Sequence, residues 1–455
     1  MSGVFGTVLI ANRGEIALRI ARACRELGVK VAVVYSTEDA GTEVVRYADR
    51  AVCIGPGAAK HSYLNIPAVL EAARMVGADA VHPGYGFLSE NADFAELCAA
   101  EGLTFIGPPP HVIEALGDKS SCRSLMAGAG LPMLPGTLES VETSAEAQEA
   151  AEAIGWPLVV KAVAGGGGRG IGVSRTPDDL PSVYRETRRH ASALFGDGRV
   201  YLERYLSPAR HVEIQVLADA YGNVVHLGER DCSVQRRHQK LVEETPAPAL
   251  SRDLLDDMAA HAVQGAKAAG YVGAGTFEFL VDAAGGFAFM EVNCRIQVEH
   301  PVTELVTGID LVQEQIRIAA GHPLRLRQED VVPRGVAIEC RVNAEDAARD
   351  FAPTPGRLEE FAVPAGPFVR VDTHACAGGS VSAFYDSLLA KVSVWAPDRD
   401  AALARMRRAL GEVRIAGPGV RTTTAFLESV LASPGFRAGR YDTGLVERLR
   451  QKEPR

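Results

Sequence analysis

The 455-residue sequence lacks the features that mark membrane-spanning, secreted and nucleic-acid-binding proteins. It contains no run of about 18 apolar residues, the length needed to cross a membrane. Its first residues show no basic segment followed by a long apolar core, as a signal peptide would. The net charge of −9 argues against a polyanionic partner bound through bulk charge. We therefore expect neither a membrane nor a nucleic acid as a partner.

Closely spaced cysteines are also missing. The eight cysteines are scattered along the chain, and no C-x-x-C pair occurs. This spacing favours reduced thiols over a disulfide framework or a zinc site, so we expect a cytoplasmic protein. The sequence has no internal repeat and no low-complexity segment. With 47% hydrophobic and 23% charged residues, it has the composition of a globular chain long enough for about three domains.

Strands and helices alternate in the first quarter of the chain. Apolar strands are predicted at 7–11 and 29–35, with an amphipathic helix at 15–27 between them, and similar units follow as far as residue 106. Alternation of this kind predicts a parallel, doubly wound sheet. The loop after the first strand lacks G-x-G-x-x-G and is only weak evidence for dinucleotide binding.

The pattern changes at Gly-Pro-Pro-Pro, residues 107–110. We expect an N-terminal Rossmann-like domain over 1–106, a linker over 107–132, a second unit over 133–205 and a third region over 206–455. The third region opens with antiparallel strands and contains a clear hairpin, which predicts a mixed α+β architecture there.

Polar side chains are concentrated in residues 290–301, which hold two carboxylates, a guanidinium, two amides and an imidazole. Side chains two residues apart on a strand share a face, so Glu291 and Asn293 would lie side by side. Their oxygens suit a hard cation such as Mg²⁺. Glu278, on the opposite arm of the hairpin, could share that cation. A polar edge strand with a surface ion pair is the alternative interpretation.

If the chain stays extended after Asn293, the side chains of Arg295, Gln297 and Glu299 continue on the same face.

Basic groups are concentrated at residues 228–240, where four basic side chains and an imidazole fall in what is predicted to be a short turn region. Such a segment is either a solvated face or a site for an anionic substrate or phosphate, and the residues alone leave both interpretations open.

A glycine-rich turn follows the strand predicted at 158–162 and precedes another at 171–174. Glycine has no Cβ, so backbone N–H groups in such a turn can approach an oxyanion closely. Lys161 at the end of the first strand adds positive charge. No Gly-Lys-Ser/Thr follows, so this is not a Walker A loop. The flanking strands favour a cover for nucleotide phosphates over a flexible surface turn.

Together and in this order, the motifs resemble the biotin carboxylase subunit of bacterial acetyl-CoA or acyl-CoA carboxylase, a member of the ATP-grasp superfamily. The resemblance covers nearly the whole chain. It rests on residues 290–301, the glycine-rich turn, and the segments 10–20 (IANRGEIALRI), 82–91 (HPGYGFLSEN), 117–119 (GDK), 210–216 (RHVEIQV), 229–240 (ERDCSVQRRHQK) and 273–279 (GAGTFEF).

The resemblance implies an α/β ATP-grasp fold with an N-terminal Rossmann-like domain, a mobile glycine-rich lid domain and a large mixed α+β C-terminal domain. It implies ATP and Mg²⁺ or Mn²⁺ as cofactors, and biotin as a carrier-bound substrate. The implied partners are a second copy of the chain, a biotin carboxyl carrier protein and a carboxyltransferase subunit. No biotin-acceptor Met-Lys-Met occurs, so we expect a separate carrier. Arg22 and Glu26 would form an ion pair at the homodimer interface.

The resemblance also implies roles for residues at matching positions. Glu299 would be the general base, and Arg341 would stabilise the biotin enolate. The bicarbonate-binding and catalytic side would also use Lys240, Arg295, Gln297 and Val298. The metal ligands would be Glu278, Glu291 and Asn293. The ATP-binding residues, besides Glu278 and Glu291, would be Lys119, Lys161, Gly167, Gly168, Glu203, Arg204, Tyr205, Leu206, His211, Gln235 and His238.

The implied reaction is ATP- and bicarbonate-dependent carboxylation of biotin through carboxyphosphate. It is the first half-reaction of acetyl-CoA or acyl-CoA carboxylase, which supplies malonyl-CoA for fatty acid synthesis. The alternatives are a subunit of a pyruvate or other acid carboxylase, a carbamoyl-phosphate or purine-biosynthesis ligase, and a non-catalytic scaffold that positions a carrier. Three residues depart from the family pattern without replacing an assigned catalytic group, namely Ala164, Cys294 and Thr424. The side chain of Cys294 is expected to face away from the ligands.

Overall fold

A five-stranded parallel sheet forms the first part of the chain in the computed structural model, which describes residues 3–164, 168 and 170–452. Its elements are β1 (Thr7–Ile10), α1 (Gly14–Glu26), β2 (Lys30–Ser36), α2 (Glu43–Tyr47), β3 (Arg50–Gly55), α3 (Ile66–Val76), β4 (Ala80–His82), α4 (Ala92–Ala100) and β5 (Thr104–Phe105).

The strand order is β3-β2-β1-β4-β5, and all neighbours run parallel. Val8 and Ile10 pack into one apolar cluster and Leu9 packs into another on the opposite face, as expected for a parallel sheet covered on both sides. The predicted doubly wound sheet is therefore confirmed. The short helix α2 was not predicted, because five residues are too few to show a helical period.

A second unit carries its own three-stranded sheet. It follows two helices of the predicted linker, α5 (Pro110–Gly117) and α6 (Lys119–Gly128), which pack into an apolar cluster with the third region. Its own elements are α7 (Ser144–Ile154), β6 (Leu158–Ala162), β7 (Ile171–Ser174), α8 (Leu180–Phe195) and β8 (Val200–Arg204). The antiparallel order is β7-β6-β8. Leu158, Val160 and Leu202 form a small separate core with Tyr184 of α8. Gly168 has a left-handed backbone with φ of 72°, whereas Gly167 lies outside the described residues.

The third region begins with the elements that carry most of the candidate site. They are β9 (Arg210–Ala218), β10 (Val224–Arg236), β11 (Gln239–Thr245), α9 (Arg252–Ala268), β12 (Gly273–Val281), β13 (Phe287–Asn293), α10 (His300–Thr307), α11 (Leu311–Ala319) and β14 (Val336–Asn343). The remaining elements are β15 (Glu345–Asp346), β16 (Ala352–Pro353), β17 (Gly356–Arg357), β18 (Glu360–Ala362), β19 (Val369–Thr373), β20 (Ser380–Val381), β21 (Leu388–Ala396), α12 (Arg399–Glu412), β22 (Arg414–Ala416), α13 (Thr424–Ala432), α14 (Pro434–Arg437) and α15 (Leu445–Lys452).

One eight-stranded antiparallel sheet unites this region, in the order β13-β12-β9-β10-β11-β14-β21-β19. Along β9, the side chains of Val212, Ile214 and Val216 pack into an apolar core, while the alternate residues His211 and Glu213 belong to the opposite face. That opposite face is polar yet buried. Among the described residues, no helix combines the length and apolar composition needed to cross a membrane.

One local prediction was wrong. The segment 228–240 is mostly strand, because β10 continues to Arg236 between β9 and β11, and only Arg237 and His238 form the turn. Both turn residues have positive φ, 48° and 65°. The condition set for Arg295, Gln297 and Glu299 to share one strand face is not met, because the chain does not stay extended after Asn293. It bends, and α10 begins at His300 with a proline in its first turn, where a fixed φ and a missing N–H suit a helix start.

Candidate active site

One ammonium group lies among three carboxylates on the polar face of the large sheet. The Nζ atom of Lys240 on β11 is 2.5 Å from Glu213, 2.9 Å from Glu278 and 2.7 Å from Glu299. The side chain of Lys240 is 11% exposed, and those of the carboxylates are at most 4% exposed. Burial lowers the pKa of Lys240, but the three carboxylates outweigh burial and raise that pKa well above its ordinary value. Lys240 is therefore a fixed positive charge.

Glu299 is shared between two cations. Its Oε1 accepts a hydrogen bond from Lys240 at 2.7 Å, and its Oε2 accepts one from the guanidinium of Arg341 at 2.9 Å. Burial raises the pKa of Glu299, but the charges of Lys240 and Arg341 outweigh burial and hold the pKa well below its usual value. The group is thus ionised, as a proton acceptor must be.

Arg341 on β14 has a second carboxylate partner. Its Nε donates to Glu243 of the neighbouring strand β11 at 2.6 Å. Burial raises the pKa of Glu243 to about 7, and the nearby Arg341 opposes that rise. Sequence reasoning missed Glu243, as it missed Glu213 and Arg230. The guanidinium of Arg230 is fully buried and donates to Glu213 at 2.6 Å.

Arg295 lies at the start of the bend after β13. Its guanidinium donates to Glu90 at 2.9 Å, to Gln297 at 2.8 Å and to the amide oxygen of Asn293 at 2.9 Å. Glu90 also accepts a hydrogen bond from the backbone N–H of Cys294 at 2.9 Å. Glu90 belongs to the family-like segment 82–91 but had no assigned role. The side chain of Cys294 is buried in an apolar cluster, as predicted.

Two carboxylates face each other across the hairpin of β12 and β13, where Glu278 pairs in register with Glu291. Asn293 donates to Glu278 at 2.8 Å, and Lys119 lies 2.5 Å from Glu291. Burial opposes ionisation of Glu278, but Lys240 and His211 outweigh burial and lower its pKa. Lys119 likewise outweighs burial and lowers the pKa of Glu291. Two ionised carboxylates on one face fit a hard cation such as Mg²⁺ or Mn²⁺.

The amide oxygen of Asn293 accepts a hydrogen bond from Arg295, which leaves its second lone pair for a cation. Next to this pair, the imidazole of His211 lies 2.9 Å from Glu278 through Nε2 and 2.5 Å from Gln235 through Nδ1. Burial lowers the pKa of His211, but Glu278 outweighs burial and raises it. The predicted nucleotide residue His211 therefore contacts the predicted metal ligand Glu278 directly, and Gln235 is joined to it through His211.

Glu203 is a predicted nucleotide residue of the second unit. It is buried and pairs with Lys161, another predicted nucleotide residue, and with Arg123. Arg123 was not predicted. The side chain of Arg204 points elsewhere and donates to the backbone oxygen of Ile154 at 3.3 Å, so only its backbone could meet a nucleotide. Tyr205 and Leu206 follow β8 and are half-buried.

Gly168 lies next to the basic hairpin between β10 and β11. A Cβ placed on Gly168 would overlap the side chain of His238, so this close contact requires glycine.

The position of Lys119 depends on the start of α6. The side chain of Asp118 accepts a hydrogen bond from the N–H of Ser121 and caps α6. That cap places Lys119 in the first turn of α6, facing Glu291.

Several polar residues outside the site make contacts that support the fold. His82 is buried, and its Nδ1 accepts a hydrogen bond from the backbone of Gly84, which agrees with the predicted role in a loop. The predicted ion pair between Arg22 and Glu26 is wrong, because the two side chains do not form an ion pair in the part of the chain that the structure describes. Glu26 instead accepts a hydrogen bond from Gln313 at 2.7 Å.

A buried carboxyl group beneath the site makes stability depend on pH. Burial raises the pKa of Glu339 from 4.5 to about 8, although Lys391 opposes that rise. The folded chain therefore keeps a proton that the unfolded chain releases. The stabilisation is fully present below about pH 4.5 and is lost as the pH rises through about 8. In the parent, this group should lower the free energy of unfolding by at most about 1.4 kcal/mol per pH unit. Glu339→Gln cannot ionise, so its free energy of unfolding should not fall for this reason.

Urea unfolding of both proteins between about pH 5 and about pH 8 measures this effect. We expect the free energy of unfolding to fall less steeply with pH in Glu339→Gln than in the parent. Parallel pH profiles of the two proteins would contradict a raised pKa at this position.

Comparisons with known proteins agree with the fold and show the family. The family model described as "Carbamoyl-phosphate synthase L chain, ATP binding domain" matches residues 118–327. The models described as "Biotin carboxylase, N-terminal domain" and "Biotin carboxylase C-terminal domain" match residues 4–113 and 339–448. Together with the sheets described above, these matches define an ATP-grasp ligase.

Individual relatives cover almost the whole chain. The biotin carboxylase of Nostoc sp. is 52% identical over 445 residues, which are 98% of this chain and 99% of that protein. One of the pyruvate carboxylase subunits of Methanothermobacter thermautotrophicus is 48% identical, covering 98% of this chain and 91% of that protein. The chain belongs to the biotin carboxylase family.

Among solved structures, the biotin carboxylase domain dimer of Hydrogenobacter thermophilus 2-oxoglutarate carboxylase, in complex with MgADP, ADP and bicarbonate, is 45% identical. It superposes with a TM-score of 0.95 over 99% of both chains. A biotin carboxylase from Campylobacter jejuni, solved as a β-γ-ATP complex, also has a TM-score of 0.95 and 45% identity, over 98% of this chain and 99% of that chain. The predicted ATP-grasp fold is confirmed.

Proposed function

We propose that this chain carboxylates biotin on a biotin carboxyl carrier protein, with ATP and bicarbonate as co-substrates and carboxyphosphate as the intermediate. The observation that carries this proposal is the ionised carboxylate of Glu299, bound between Lys240 and Arg341. This group lies beside the carboxylate pair Glu278 and Glu291, which suits an ATP-bound metal. The biotin carboxylase domain that was solved with MgADP and bicarbonate supports the same interpretation.

The ATP side of the site would bind phosphates and metal with separate groups. Lys119 and Lys161 would contact the phosphates, and Glu278, Glu291 and Asn293 would hold Mg²⁺ or Mn²⁺. When bound, the metal supplies positive charge that offsets the charge developing on the phosphates. The remaining ATP contacts would come from Gly167, Gly168, Glu203, Arg204, Tyr205, Leu206, His211, Gln235 and His238.

The bicarbonate side would use Lys240, Arg295, Gln297 and Val298 to bind the anion. An anion that contacts Lys240 draws part of that charge away from Glu299 and so raises the basicity of the carboxylate. Glu299 would then take the bicarbonate proton while a bicarbonate oxygen attacks the γ-phosphorus of ATP and ADP leaves. The product is carboxyphosphate, and fixed cations in a buried site stabilise the charge that builds up.

In the second step, carboxyphosphate would decompose to CO₂ and phosphate. The phosphate would remove the proton from the ureido nitrogen of biotin, and the enolate oxygen would pair with Arg341. The nitrogen would then form a bond to the carbon of CO₂, giving carboxybiotin. Closure of the second unit over the nucleotide would keep out water that hydrolyses carboxyphosphate.

Replacing Arg341 by alanine should slow biotin carboxylation strongly while sparing ATP binding, because Arg341 contacts Glu299 and Glu243 and none of the nucleotide residues. Turnover with free biotin and nucleotide affinity, measured on the same preparation, test this expectation. Unchanged biotin turnover in Arg341→Ala would remove Arg341 from the mechanism.

The domain limits 1–106, 107–132, 133–205 and 206–455 remain part of the proposal, supported by the separate sheets of the first, third and fourth segments. We also propose a homodimer, a separate carrier and a carboxyltransferase subunit, supported by the dimeric relative and by pyruvate carboxylase relatives. A cytoplasmic location is supported by the eight free cysteines.

Biotin carboxylase models at both ends of the chain favour this function over a carbamoyl-phosphate or purine-biosynthesis ligase. Buried, ionised catalytic groups disfavour a scaffold. We propose acetyl-CoA or acyl-CoA carboxylase as the parent complex, with a pyruvate or other acid carboxylase as the alternative. Co-purification with the native carrier and transferase tests this choice: an acyl-CoA carboxyltransferase supports it, and a transferase for pyruvate overturns it.

A further inference from the structure

A fully buried lysine lies next to the proposed catalytic arginine. Lys391 on β21 pairs in register with Arg341 of β14 and with Asp372 of β19. Residues paired directly across antiparallel strands share a face, so Lys391 belongs to the face that carries the site. Its side chain is 0% exposed. Lysine is almost never fully buried unless it is paired.

The ammonium group of Lys391 has both charged and neutral partners. Its Nζ lies 3.0 Å from Glu15 of α1 and 3.8 Å from Asp372. The same Nζ donates a hydrogen bond to the backbone oxygen of Val298 at 2.9 Å. Tyr85 donates its hydroxyl to the same Glu15 oxygen that lies next to Lys391. Lys391 thus joins the N-terminal part of the chain to the segment that carries Glu299.

The backbone carbonyl that Lys391 binds belongs to the peptide unit between Val298 and Glu299. This unit lies in the bend between the end of β13 and the start of α10, outside any strand ladder. His300 binds the preceding carbonyl, that of Gln297, with its Nδ1 at 2.7 Å. Because a peptide unit is planar and rigid, fixing the Val298 oxygen sets the direction in which the chain enters Glu299.

We infer that Lys391 is a positioning residue for Glu299. It would fix the Val298–Glu299 peptide so that the Glu299 carboxylate points at Lys240 and Arg341. This inference rests on the proposed role of Glu299 as the general base. Misplacement of a reacting group by about 1 Å can cost about 100-fold in rate, so the loss of this one hydrogen bond should be visible in kcat.

The test compares Lys391→Met with the parent by bicarbonate-dependent ATP turnover in the presence of free biotin. We expect kcat to fall by about 100-fold and the KM for ATP to stay unchanged, because Lys391 contacts none of the proposed nucleotide residues. The matched control is Glu244→Gln. Glu244 is as deeply buried and pairs with Arg399 at 2.7 Å and with Tyr441, away from the site.

Each outcome decides the inference. A fall in kcat for Lys391→Met, with kcat retained in Glu244→Gln at a similar loss of thermal stability, supports positioning. Retained kcat in Lys391→Met overturns it, as does an equal fall in kcat for both variants. If the parent shows no bicarbonate-dependent turnover, the proposed function fails, and that result is separate from a failure of Lys391.

Lys391→Arg covers the case in which Lys391→Met does not fold. Arginine keeps the positive charge that Glu15 and Asp372 need but moves the donor nitrogens. We expect a lower kcat at an unchanged KM for ATP. A parental kcat in Lys391→Arg would overturn the inference, because the hydrogen bond to Val298 would then have no kinetic effect.

Discussion

Glu299→Gln should lower the turnover of biotin carboxylation by about 10²–10⁴-fold, the range that a general base contributes. Glutamine has nearly the same shape as glutamate, but its single amide oxygen can accept from only one of Lys240 and Arg341 at its present position, and the side chain cannot take a proton. The ionised state of Glu299 is maintained by these two cations. Nucleotide affinity should stay at the parental value, because Glu299 contacts neither Glu291 nor Lys119.

Steady-state kinetics with bicarbonate as the varied substrate, together with nucleotide binding on the same preparation, measure this effect. Glu244→Gln is a suitable control, since it makes the same chemical change at a buried ion pair outside the site. Parental turnover in Glu299→Gln would exclude this carboxylate as the base. Loss of nucleotide binding in Glu299→Gln would show instead that the change disturbs the whole site.

Lys240→Met should destabilise the folded chain by about 3–5 kcal/mol, the usual cost of removing one partner from a buried ion pair. Lys240 is the shared partner of Glu213, Glu278 and Glu299. Methionine fills a similar volume but leaves these three carboxylates close together without their common cation. Repulsion among them and their desolvation then oppose folding. Biotin carboxylation should be lost in the same variant.

Urea unfolding at neutral pH measures the change in the free energy of unfolding. Lys267→Met on the exposed surface of α9 is the matched control and should alter stability by less than about 0.5 kcal/mol. A small effect of Lys240→Met, similar to that of Lys267→Met, would mean that the three carboxylates do not depend on this ammonium group.

Local sequence signals predicted much of the framework. The strands predicted at 158–162 and 171–174 coincide with β6 and β7, because glycine and proline mark their ends. The hairpin of β12 and β13 also formed as expected, with Glu278 opposite Glu291. Short-range alternation is enough to predict such elements, since it depends only on neighbours in the chain.

The second layer of the site could not be predicted in the same way. Lys391 is the one charged residue of β21, whereas Glu213 and Glu243 share their strands with other charged residues. The partners of Glu213, Glu243 and Lys391 lie 27, 98 and 93 residues away in the sequence. Which strands become neighbours in the eight-stranded sheet decides these contacts, and that choice depends on long-range packing. The alternation of polar and apolar residues along β9 showed that one face is polar. It did not show whether that face is exposed to solvent or forms a buried site.

The bend after Asn293 illustrates the same limit. Alternation alone left open whether the chain stays extended through Glu299. Glu90 and Lys391, from two distant segments, bind the backbone of the bend at residues 294 and 298. Family-like motifs had selected Arg295, Gln297, Val298 and Glu299 as candidate site residues before their geometry was known. The structure adds how these residues are positioned, and their roles stay predictions.

The transfer of labelled bicarbonate to free biotin by the purified chain, with ATP and Mg²⁺, tests the proposed reaction most directly. We expect labelled carboxybiotin that forms only when ATP, bicarbonate and biotin are all present, with one ADP and one phosphate released for each carboxybiotin. ATP turnover that proceeds without labelling biotin, and that does not respond to biotin, would contradict the proposed function.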